Sequence, residues 1–365
     1  MLRMSQVRLA ASATAAVAVG YCIFCCISHY LGHSSSLMAF SSGSSLPDTT
    51  IHTTLDGFLK RRPPIRPTLA HHSPLPDPLG KEMCILDVDT RTLDGPNEPW
   101  SPHTFAWDES SLESAGVLNH YLYAKLHSYR YLFIHSPQYP DRTTAWSRIP
   151  ALEYVFANTT CRWAIYLDSD AILPHLRLPA ERLLAYWNLT ASPDTVLAAS
   201  EEPQDWLRTH WKLTYPELEV LYSEPTRSWV QGLDSRGRRG LNAGVMVVQR
   251  TPETAEFLRR WGDCPSLHPG CERLLDAWPA EQGALNEYVR YDFPEDRVRG
   301  LKCDEAHGNP GATIGCRGTL VRHYTLAKKD VKNAVEGMAS REVLEEAQRE
   351  MLKEKKEIYV ELGKR

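Results

Sequence analysis

The sequence has 365 residues, of which 42% are hydrophobic and 24% are charged, so it can form one large globular domain with appendages or two small domains. The formal net charge of -4 gives no electrostatic reason to expect a nucleic-acid partner. The first acidic residue is Asp48, which separates the N-terminal segment in composition from the rest of the chain.

The N-terminal segment carries an uncharged run long enough to cross a membrane. Residues 9–31 contain no Asp, Glu, Lys or Arg, and a membrane-spanning helix requires roughly 20 apolar residues. Arg3 and Arg8 precede this run, and the next basic residue is Lys60. The positive-inside tendency therefore predicts a type II signal anchor with residues 1–8 in the cytosol. A cleaved signal peptide or an organelle transit peptide is the alternative.

The segment after the anchor, residues 32–80, is rich in Ser, Thr, Pro and His. Such a composition buries too little apolar surface to fold alone, so it predicts a disordered stem that holds a domain away from the membrane. Two glycosylation sequons begin at Asn158 and Asn188, and both are usable only on the lumenal side of the secretory pathway.

Cysteine usage is compatible with that compartment. Six cysteines lie outside the uncharged run: Cys84, Cys161, Cys264, Cys271, Cys303 and Cys316. Residues 264–271 and 303–316 are short loops, each bracketed by two of these cysteines, that a disulfide could close. Buried unpaired thiols are the alternative for each of them. No pair outside the uncharged run has CxxC spacing, which argues against a structural zinc site.

Strands and helices alternate along residues 81–330. Apolar runs of strand length occupy residues 83–89, 131–134, 163–167, 195–199 and 244–249. Helical spacing of apolar residues occurs at 112–129, 149–156, 253–261 and 281–289. This alternation predicts an α/β domain with a mainly parallel sheet flanked by helices, whose ligand crevice lies at the carboxyl ends of the strands. Residues 331–365 are predicted to form a charged C-terminal helix, from about residue 340 to residue 362.

A pair of acids, Asp168 and Asp170, follows one of these strands directly in the stretch AIYLDSDAIL. Acids one residue apart point to the same side of an extended chain and can converge on one cation. Carboxylate oxygens suit Mg²⁺ or Mn²⁺. An acidic turn is the alternative, but two carboxylates between apolar segments repel each other unless a cation or a donor compensates them. We therefore predict a metal site.

A second acidic pair, Asp87 and Asp89, also ends an apolar run. Phosphatases of the haloacid-dehalogenase type begin with DxDx[TV] on their first strand, whereas the fifth position here is Arg91. A strand that enters a polar loop is the preferred interpretation of this pair.

Two further segments supply polar groups for a site near Asp168. In LNAGVMVV, Gly244 allows close approach to the backbone and Asn242 offers both a donor and an acceptor. In WPAEQGAL, Glu281 and Gln282 stand at a predicted helix start, near free backbone N–H groups. The alternatives are a turn residue for Asn242 and a helix cap for Glu281.

The segment VRHY and the lysines after it add an imidazole and cationic groups. His323 could serve as a metal ligand, and Lys328 could bind phosphate oxygens. A buried structural histidine and a solvated surface lysine are the alternatives.

With these residues the chain resembles nucleotide-sugar glycosyltransferases of the GT-A fold, most closely the family of fungal galactosyl- and mannosyltransferases and plant xyloglucan xylosyltransferases. The resemblance runs from about residue 83 to residue 325. It rests on the order and spacing of segments at 123–124, 127–129, 146–149, 163–171, 241–250 and 281–285, and on His323.

The resemblance implies a role for each candidate. Asp168 and Asp170 would hold Mn²⁺ (or Mg²⁺) against the donor diphosphate, with His323 completing the metal shell. The remaining candidates would serve the sugar, the acceptor and the leaving group: Asn242 and Gly244 would line the sugar and acceptor side, Glu281 and Gln282 would face the anomeric carbon, and Lys328 would assist the departing diphosphate.

The sequence and the resemblance together predict a metal-dependent glycosyltransferase in the Golgi membrane, with its catalytic domain in the lumen. It would move a hexose or pentose from a UDP- or GDP-sugar to a glycan or glycoprotein, with retention of anomeric configuration. Two alternatives stay open: a membrane-anchored phosphohydrolase that uses Asp87 and Asp89, and a lumenal glycan-binding protein without catalysis.

Overall fold

A computed structural model describes residues 77–103, 105–203, 233–311, 316–325 and 327–363. The predicted cytosolic tail, the signal anchor and nearly all of the predicted stem lie outside these ranges. Within them, no helix combines the length and the apolar character that crossing a bilayer demands.

The strands of the described ranges belong to two sheets. They are β1 Met83–Asp89, β2 Arg130–His135, β3 Trp163–Leu167, β4 Ala171–Ile172, β5 Leu197–Glu201, β6 Leu241–Gln249, β7 Val298–Leu301, β8 Arg322–His323 and β9 Tyr359–Glu361. The larger sheet has the order β7-β5-β6-β3-β1-β2-β9, and β4 pairs with β8 in a separate two-stranded sheet. Only the two pairs that involve β6 are antiparallel in the larger sheet, which confirms the prediction of a mainly parallel sheet.

Helices connect these strands. They are α1 Leu112–Leu126, α2 Arg148–Asn158, α3 Ala180–Tyr186, α4 Thr254–Gly262, α5 Cys264–Leu267, α6 Ala280–Glu287, α7 Cys303–Ala306, α8 Val331–Glu336, α9 Arg341–Lys353 and α10 Lys355–Ile358. Helix α1 begins where the hydroxyl of Ser111 accepts a hydrogen bond from the backbone N–H of Ser114, at 3.0 Å.

The larger sheet buries apolar side chains on both faces. In β1, Met83 and Ile85 join one hydrophobic cluster, together with residues of α1 and α9. Cys84 and Leu86 point to the other face, into a cluster that includes residues of α2 and α4. Burial on both faces explains why the central strands read as continuous apolar runs in the sequence.

The direction of each strand brings several strand ends to one edge of the larger sheet. Strands β1, β3 and β5 are parallel and end at this edge, whereas β6 runs the other way and begins there. In the β3–β6 pair, Leu167 lies opposite Val245. The residues after β3 therefore lie beside the first residues of β6.

The strands and helices predicted within residues 81–330 lie within three residues of the observed ones, and the predicted C-terminal helix differs more. Strand β6 begins three residues before the predicted 244–249, and β5 ends at Glu201 rather than at residue 199. The predicted C-terminal helix at 340–362 corresponds to two helices and a strand: α9 ends at Lys353, α10 follows, and β9 adds a parallel edge strand beside β2. This end of the chain is therefore part of the sheet.

All six cysteines of the domain form disulfides. Cys264–Cys271 and Cys303–Cys316 close the two short loops expected from the sequence. Cys84–Cys161 joins β1 to the turn before β3, across a sequence separation of 77 residues.

Candidate metal and substrate site

Asp168 and Asp170 lie on a tight turn at the carboxyl edge of the larger sheet. The backbone N–H of Asp168 donates to the carbonyl of Gly244 at 2.8 Å, and that of Ala171 donates to the carbonyl of Asp168 at 2.8 Å. The first bond ties the end of β3 to β6, and the second closes a turn directly after β3. The side chain of Asp168 is 28% exposed, whereas that of Asp170 is 7% exposed. One carboxylate thus faces the open side of the turn and the other faces the interior.

His323 comes to the same turn through the small sheet. In the β4–β8 pair, Ala171 lies opposite His323. Nε2 of His323 is 3.2 Å from Oδ1 of Asp170 and 3.8 Å from Oδ2 of Asp168. Among the residues that the structure describes, these three form the one group of three or more potential metal ligands within reach of a single ion, since their ligand atoms all lie within 4.8 Å of one another.

Gly244 is required by the close approach of these groups. A Cβ atom built at this position would lie 2.3 Å from Cε1 of His323 and 2.6 Å from Oδ2 of Asp168. The absence of a side chain at Gly244 leaves space beside His323 and Asp168, and the donor set of two carboxylates and one imidazole fits a small divalent cation such as Mn²⁺ or Mg²⁺. The residues present therefore fit the metal that the sequence predicts.

Lys328 and His323 both lie next to the carboxylate of Asp170 and compensate its negative charge. Nζ of Lys328 is 3.0 Å from Oδ2 of Asp170. Burial opposes ionisation of Asp170, but His323 and Lys328 outweigh it and hold the pKa of this carboxyl well below its usual range. Burial likewise works against the charged form of His323, and Asp170 outweighs it and raises the pKa of the imidazole.

A second histidine, His307, supports the ring of His323 from behind. The two Nδ1 atoms are 3.3 Å apart, and both rings are buried. Burial and the neighbouring His323 lower the pKa of His307 well below its ordinary value, so His307 is neutral. If Nε2 of His323 presents its lone pair to a cation, its proton lies on Nδ1 and donates to His307. His307 was not among the residues predicted for the site.

Arg148 connects the turn of Asp168 and Asp170, which we call the metal turn, to Glu281, and it was not among the predicted site residues. Its guanidinium lies 3.2 Å from Oδ1 of Asp168, 2.8 Å from Oε1 of Glu281 and 2.9 Å from the carbonyl of Ala243. It also stacks on the ring of Tyr166, at 5.0 Å from the centroid. The segment 146–149 was among those that carry the family resemblance, which is the one signal that could have identified it.

Glu281 is buried at the start of α6, and its Oε2 atom has no hydrogen-bond partner within the described ranges. Burial raises the pKa of Glu281, and the charge of Arg148 opposes that rise. The structure therefore holds a carboxyl group with one free acceptor oxygen next to the Asp168 turn.

Asn242 and Gln282 meet at a fourth carboxylate, Glu202, which was not predicted from the sequence. Both side-chain amides donate to Oε1 of Glu202 at 3.0 Å. The carbonyl oxygen of Asn242 accepts from the backbone N–H of Gly244, and that of Gln282 accepts from Ala243, both at 2.9 Å. These bonds fix the start of β6, where Gly244 faces the metal turn.

Comparison with known protein families identifies the chain. The profile of the galactosyl transferase GMA12/MNN10 family matches residues 104–292, about half of the sequence. The chain belongs to this family. It is therefore a glycosyltransferase, and the predicted resemblance is confirmed.

Solved structures give more distant likenesses. One is a glycosyltransferase involved in the glycosylation of the major capsid of PBCV-1, with 15% identity and a TM-score of 0.43, covering 70% of this chain and 98% of that chain. Mouse xyloside xylosyltransferase 1 has 10% identity and a TM-score of 0.35, covering 68% of this chain and 98% of its own. The galactosyltransferase LgtC, solved with donor and acceptor sugar analogs, has 10% identity and a TM-score of 0.38, covering 71% and 96%. A comparison with curated protein sequences gives no match. These identities and TM-scores are too low to support a functional conclusion. The assignment of the chain to its family therefore rests on the family profile.

The second acidic pair of this glycosyltransferase, Asp87 and Asp89, is bound by neighbouring side chains. Oδ1 of Asp87 lies 2.8 Å from Nδ1 of His120, and its Oδ2 accepts a hydrogen bond from Tyr131 at 2.7 Å. Asp89 is bound by Arg91 through both carboxylate oxygens. Because both oxygens of Asp87 are engaged inside the core, this geometry does not support the nucleophile that the phosphohydrolase alternative needs.

Proposed function

We propose that this family member is a metal-dependent glycosyltransferase that moves a sugar from a nucleotide-sugar donor to a glycan or glycoprotein acceptor. The observation that carries the proposal is the cluster of Asp168, Asp170 and His323 at the carboxyl edge of the sheet, next to the Arg148–Glu281 pair. A transferase of this kind must bind a diphosphate and stabilise its departure, and this edge holds both metal ligands and cationic side chains.

The three ligands would hold Mn²⁺ (or Mg²⁺) at the donor diphosphate. A bound divalent cation supplies positive charge to the leaving diphosphate. Lys328, whose side chain is 58% exposed, is positioned to exchange its contact with Asp170 for a phosphate oxygen. Arg148 keeps a positive charge between Asp168 and Glu281, because their charges outweigh the effect of its burial and raise its pKa.

Glu281 would orient the donor sugar. Its free Oε2 can accept a hydrogen bond from a sugar hydroxyl, and a buried acceptor without a partner gains more from such a bond than a solvated one does. Gln282 and Asn242, fixed by Glu202, would keep the wall of the site at the start of β6 rigid, and Gly244 would leave room for the metal ligands. We further propose retention of anomeric configuration, as the family resemblance implies.

We also propose that the enzyme acts in the lumen of the Golgi, anchored by residues 9–31. The uncharged run supports the anchor, and the three disulfides support an oxidising compartment. Both sequons agree with that compartment, since Asn158 and Asn188 are exposed.

The full-length protein, purified in detergent, tests the activity. Release of nucleotide is measured from a panel of UDP- and GDP-sugars, with a glycan mixture as acceptor, in Mn²⁺, in Mg²⁺ and in EDTA. We expect release from one donor that disappears in EDTA and falls about a hundredfold or more in Asp168→Asn and Asp170→Asn. Asp141→Asn, which changes an acid on the surface, is the matched control and should keep full activity.

Two results would contradict the proposal. Release that is equal in Mn²⁺ and in EDTA would exclude metal dependence. Metal-dependent binding of a donor without any release, with every acceptor tried, would favour the non-catalytic glycan-binding alternative. The anomeric configuration of the product, read from its proton NMR coupling, decides between retention and inversion.

A further inference from the structure

One side of helix α1 contacts the segment that follows Asp168 along most of its length. The residues involved share one helical face, since they recur at intervals of three or four residues. They are Gly116, Asn119, His120, Tyr123 and, just after the end of α1, His127. We call this set the α1 stripe.

The first part of the α1 stripe contacts the residues nearest the metal turn. A Cβ atom built on Gly116 would lie 2.0 Å from the carbonyl oxygen of Ser169, so only glycine allows the helix to approach so closely. Nε2 of His120 is 2.8 Å from the carbonyl oxygen of Ala171. Asn119 donates to the carbonyl of Leu173 at 3.3 Å and accepts from its N–H at 2.8 Å.

The second part of the α1 stripe continues along the same segment. The hydroxyl of Tyr123 donates to the carbonyl of Leu178 at 2.7 Å, and Nε2 of His127 lies 2.9 Å from the carbonyl oxygen of Leu176. Within residues 169–178 only Ala171–Ile172 is in a strand. The helix side chains therefore bind backbone groups that a regular sheet would otherwise pair.

His120 is fixed in one orientation by its other partners. A carbonyl oxygen only accepts, so Nε2 of His120 carries a proton and donates it to Ala171. Nδ1 of His120 forms a second hydrogen bond, with Oδ1 of Asp87, and the other oxygen of Asp87 accepts a hydrogen bond from Tyr131. His120 and Asn119 are fully buried, so water does not compete for these bonds.

We propose that His120 and Asn119 are positioning residues that hold the turn of Asp168 and Asp170 in the geometry that binds metal. Ala171 is fixed at both ends, because its N–H binds Asp168 and its carbonyl binds His120. On the other side, the carbonyl of Asp170 accepts from the N–H of Tyr324, at 2.9 Å. The turn is thus held between α1 and the residue after β8. This inference rests on the proposed metal-dependent function.

Two substitutions of His120 separate positioning from simple packing. His120→Asn places an amide nitrogen near the original Nδ1, which keeps the bond to Asp87 and removes the bond to Ala171. His120→Gln reaches the original Nε2 position, which keeps a donor for Ala171 and removes the bond to Asp87. His127→Ala is the matched control, because it removes a bond of the α1 stripe far from Asp170.

The first readout is Mn²⁺ affinity, measured on the full-length protein by titration calorimetry without donor. We expect His120→Asn to weaken Mn²⁺ binding about tenfold, His120→Gln to weaken it less, and His127→Ala to leave it unchanged. The second readout needs no metal: the backbone N–H groups of Ala171 and Leu173 should exchange with deuterium faster in His120→Asn than in His120→Gln.

The outcomes distinguish this inference from the proposed function. Unchanged Mn²⁺ affinity and unchanged exchange in folded His120→Asn would overturn the positioning role, as would an equal loss of affinity in His127→Ala. Failure of the unsubstituted protein to bind Mn²⁺ would contradict the proposed function instead. In that case, hydrogen exchange at Ala171 and Leu173 alone tests whether His120 holds the turn. Unchanged exchange in His120→Asn would then overturn the positioning role.

Discussion

At the scale of single residues, Gly244 makes the most restrictive demand of the site. Gly244→Ala would place a methyl group against both His323 and Asp168, at distances that real Cβ atoms do not adopt. We expect it to cost about 1–3 kcal/mol of unfolding free energy and to abolish Mn²⁺ binding, because two ligands must move. Calorimetric titration and urea unfolding measure both effects. Gly337→Ala is the control, since its nearest neighbours are at an ordinary 3.5 Å. Equal effects of the two substitutions would refute the steric argument.

Arg148 leads to a second prediction, on stability and its pH dependence. Arg148→Met leaves the carboxyl group of Glu281 buried without its cation, and we expect a loss of about 3 kcal/mol near neutral pH. Burial already raises the pKa of Glu281, and without Arg148 the pKa rises further. Between the unfolded and the raised folded pKa the native state binds more protons than the unfolded state, so stability falls as pH rises through this window. The penalty of Arg148→Met should therefore shrink as pH is lowered from about 8 to about 5.

A double-mutant cycle checks the origin of that penalty. In Arg148→Met with Glu281→Gln the buried charge is gone, so part of the lost stability should return and its dependence on pH should weaken. Urea unfolding of the four proteins of the cycle (unsubstituted, Arg148→Met, Glu281→Gln and the double variant) at both pH values gives the comparison. A double variant as unstable as Arg148→Met at every pH would mean that Glu281 is not the cause.

The residues of the site differed in how far the sequence could reveal them. Asp168 and Asp170 could be predicted because their spacing, their apolar flanks and the strand before them are all local features. Local patterns did not reveal Arg148 or Glu202, because their partners lie far along the chain: Arg148 pairs with Glu281, and Glu202 binds Asn242 and Gln282. Such pairs are created by the order of the strands, which local patterns do not specify.

At the scale of elements, local patterns located most strands and helices but not the end of the chain. The predicted helix at 340–362 gives way to β9, where Tyr359 stacks on Phe133 at 5.5 Å and meets Trp100 edge-on at 5.1 Å. These contacts, and the pairing of β9 with β2, outweigh the helical spacing of the last charged residues. Strand β7 was missed because only its two terminal residues are buried, which is too weak a pattern to distinguish from a loop.

The disulfides yield a prediction at this scale. Cys84–Cys161 closes a separation of 77 residues and Cys264–Cys271 closes one of 7. If each acts mainly by restricting the unfolded chain, replacing the first pair by alanine should cost about 4 kcal/mol and replacing the second about 2 kcal/mol. Urea unfolding of the two double variants measures the difference. A larger cost for the short loop would show that native packing, and not loop length, decides the contribution.

At the scale of the whole molecule, the site is assembled from distant parts of the chain. The metal ligands come from the turn after β3 and from β8, Gly244 comes from β6, and Glu281 comes from α6. The unfolded chain keeps none of these distances, so a cation bound by all three ligands binds only the folded state. Metal binding and global stability are therefore coupled.

This coupling gives a prediction that does not depend on knowing the donor or the acceptor. Mn²⁺ at about a hundred times its dissociation constant should add about 2.7 kcal/mol to the unfolding free energy. For a domain of this size that corresponds to roughly 2–4 °C of melting temperature per kcal/mol. Scanning calorimetry of the full-length protein in Mn²⁺ and in EDTA measures the shift, which Asp141→Asn should retain and Asp170→Asn should lose. Comparison within each variant removes the separate effect of losing the contact between Asp170 and Lys328. A shift that survives in Asp170→Asn would place the cation elsewhere on the protein, and the cluster of Asp168, Asp170 and His323 would then not be the metal site.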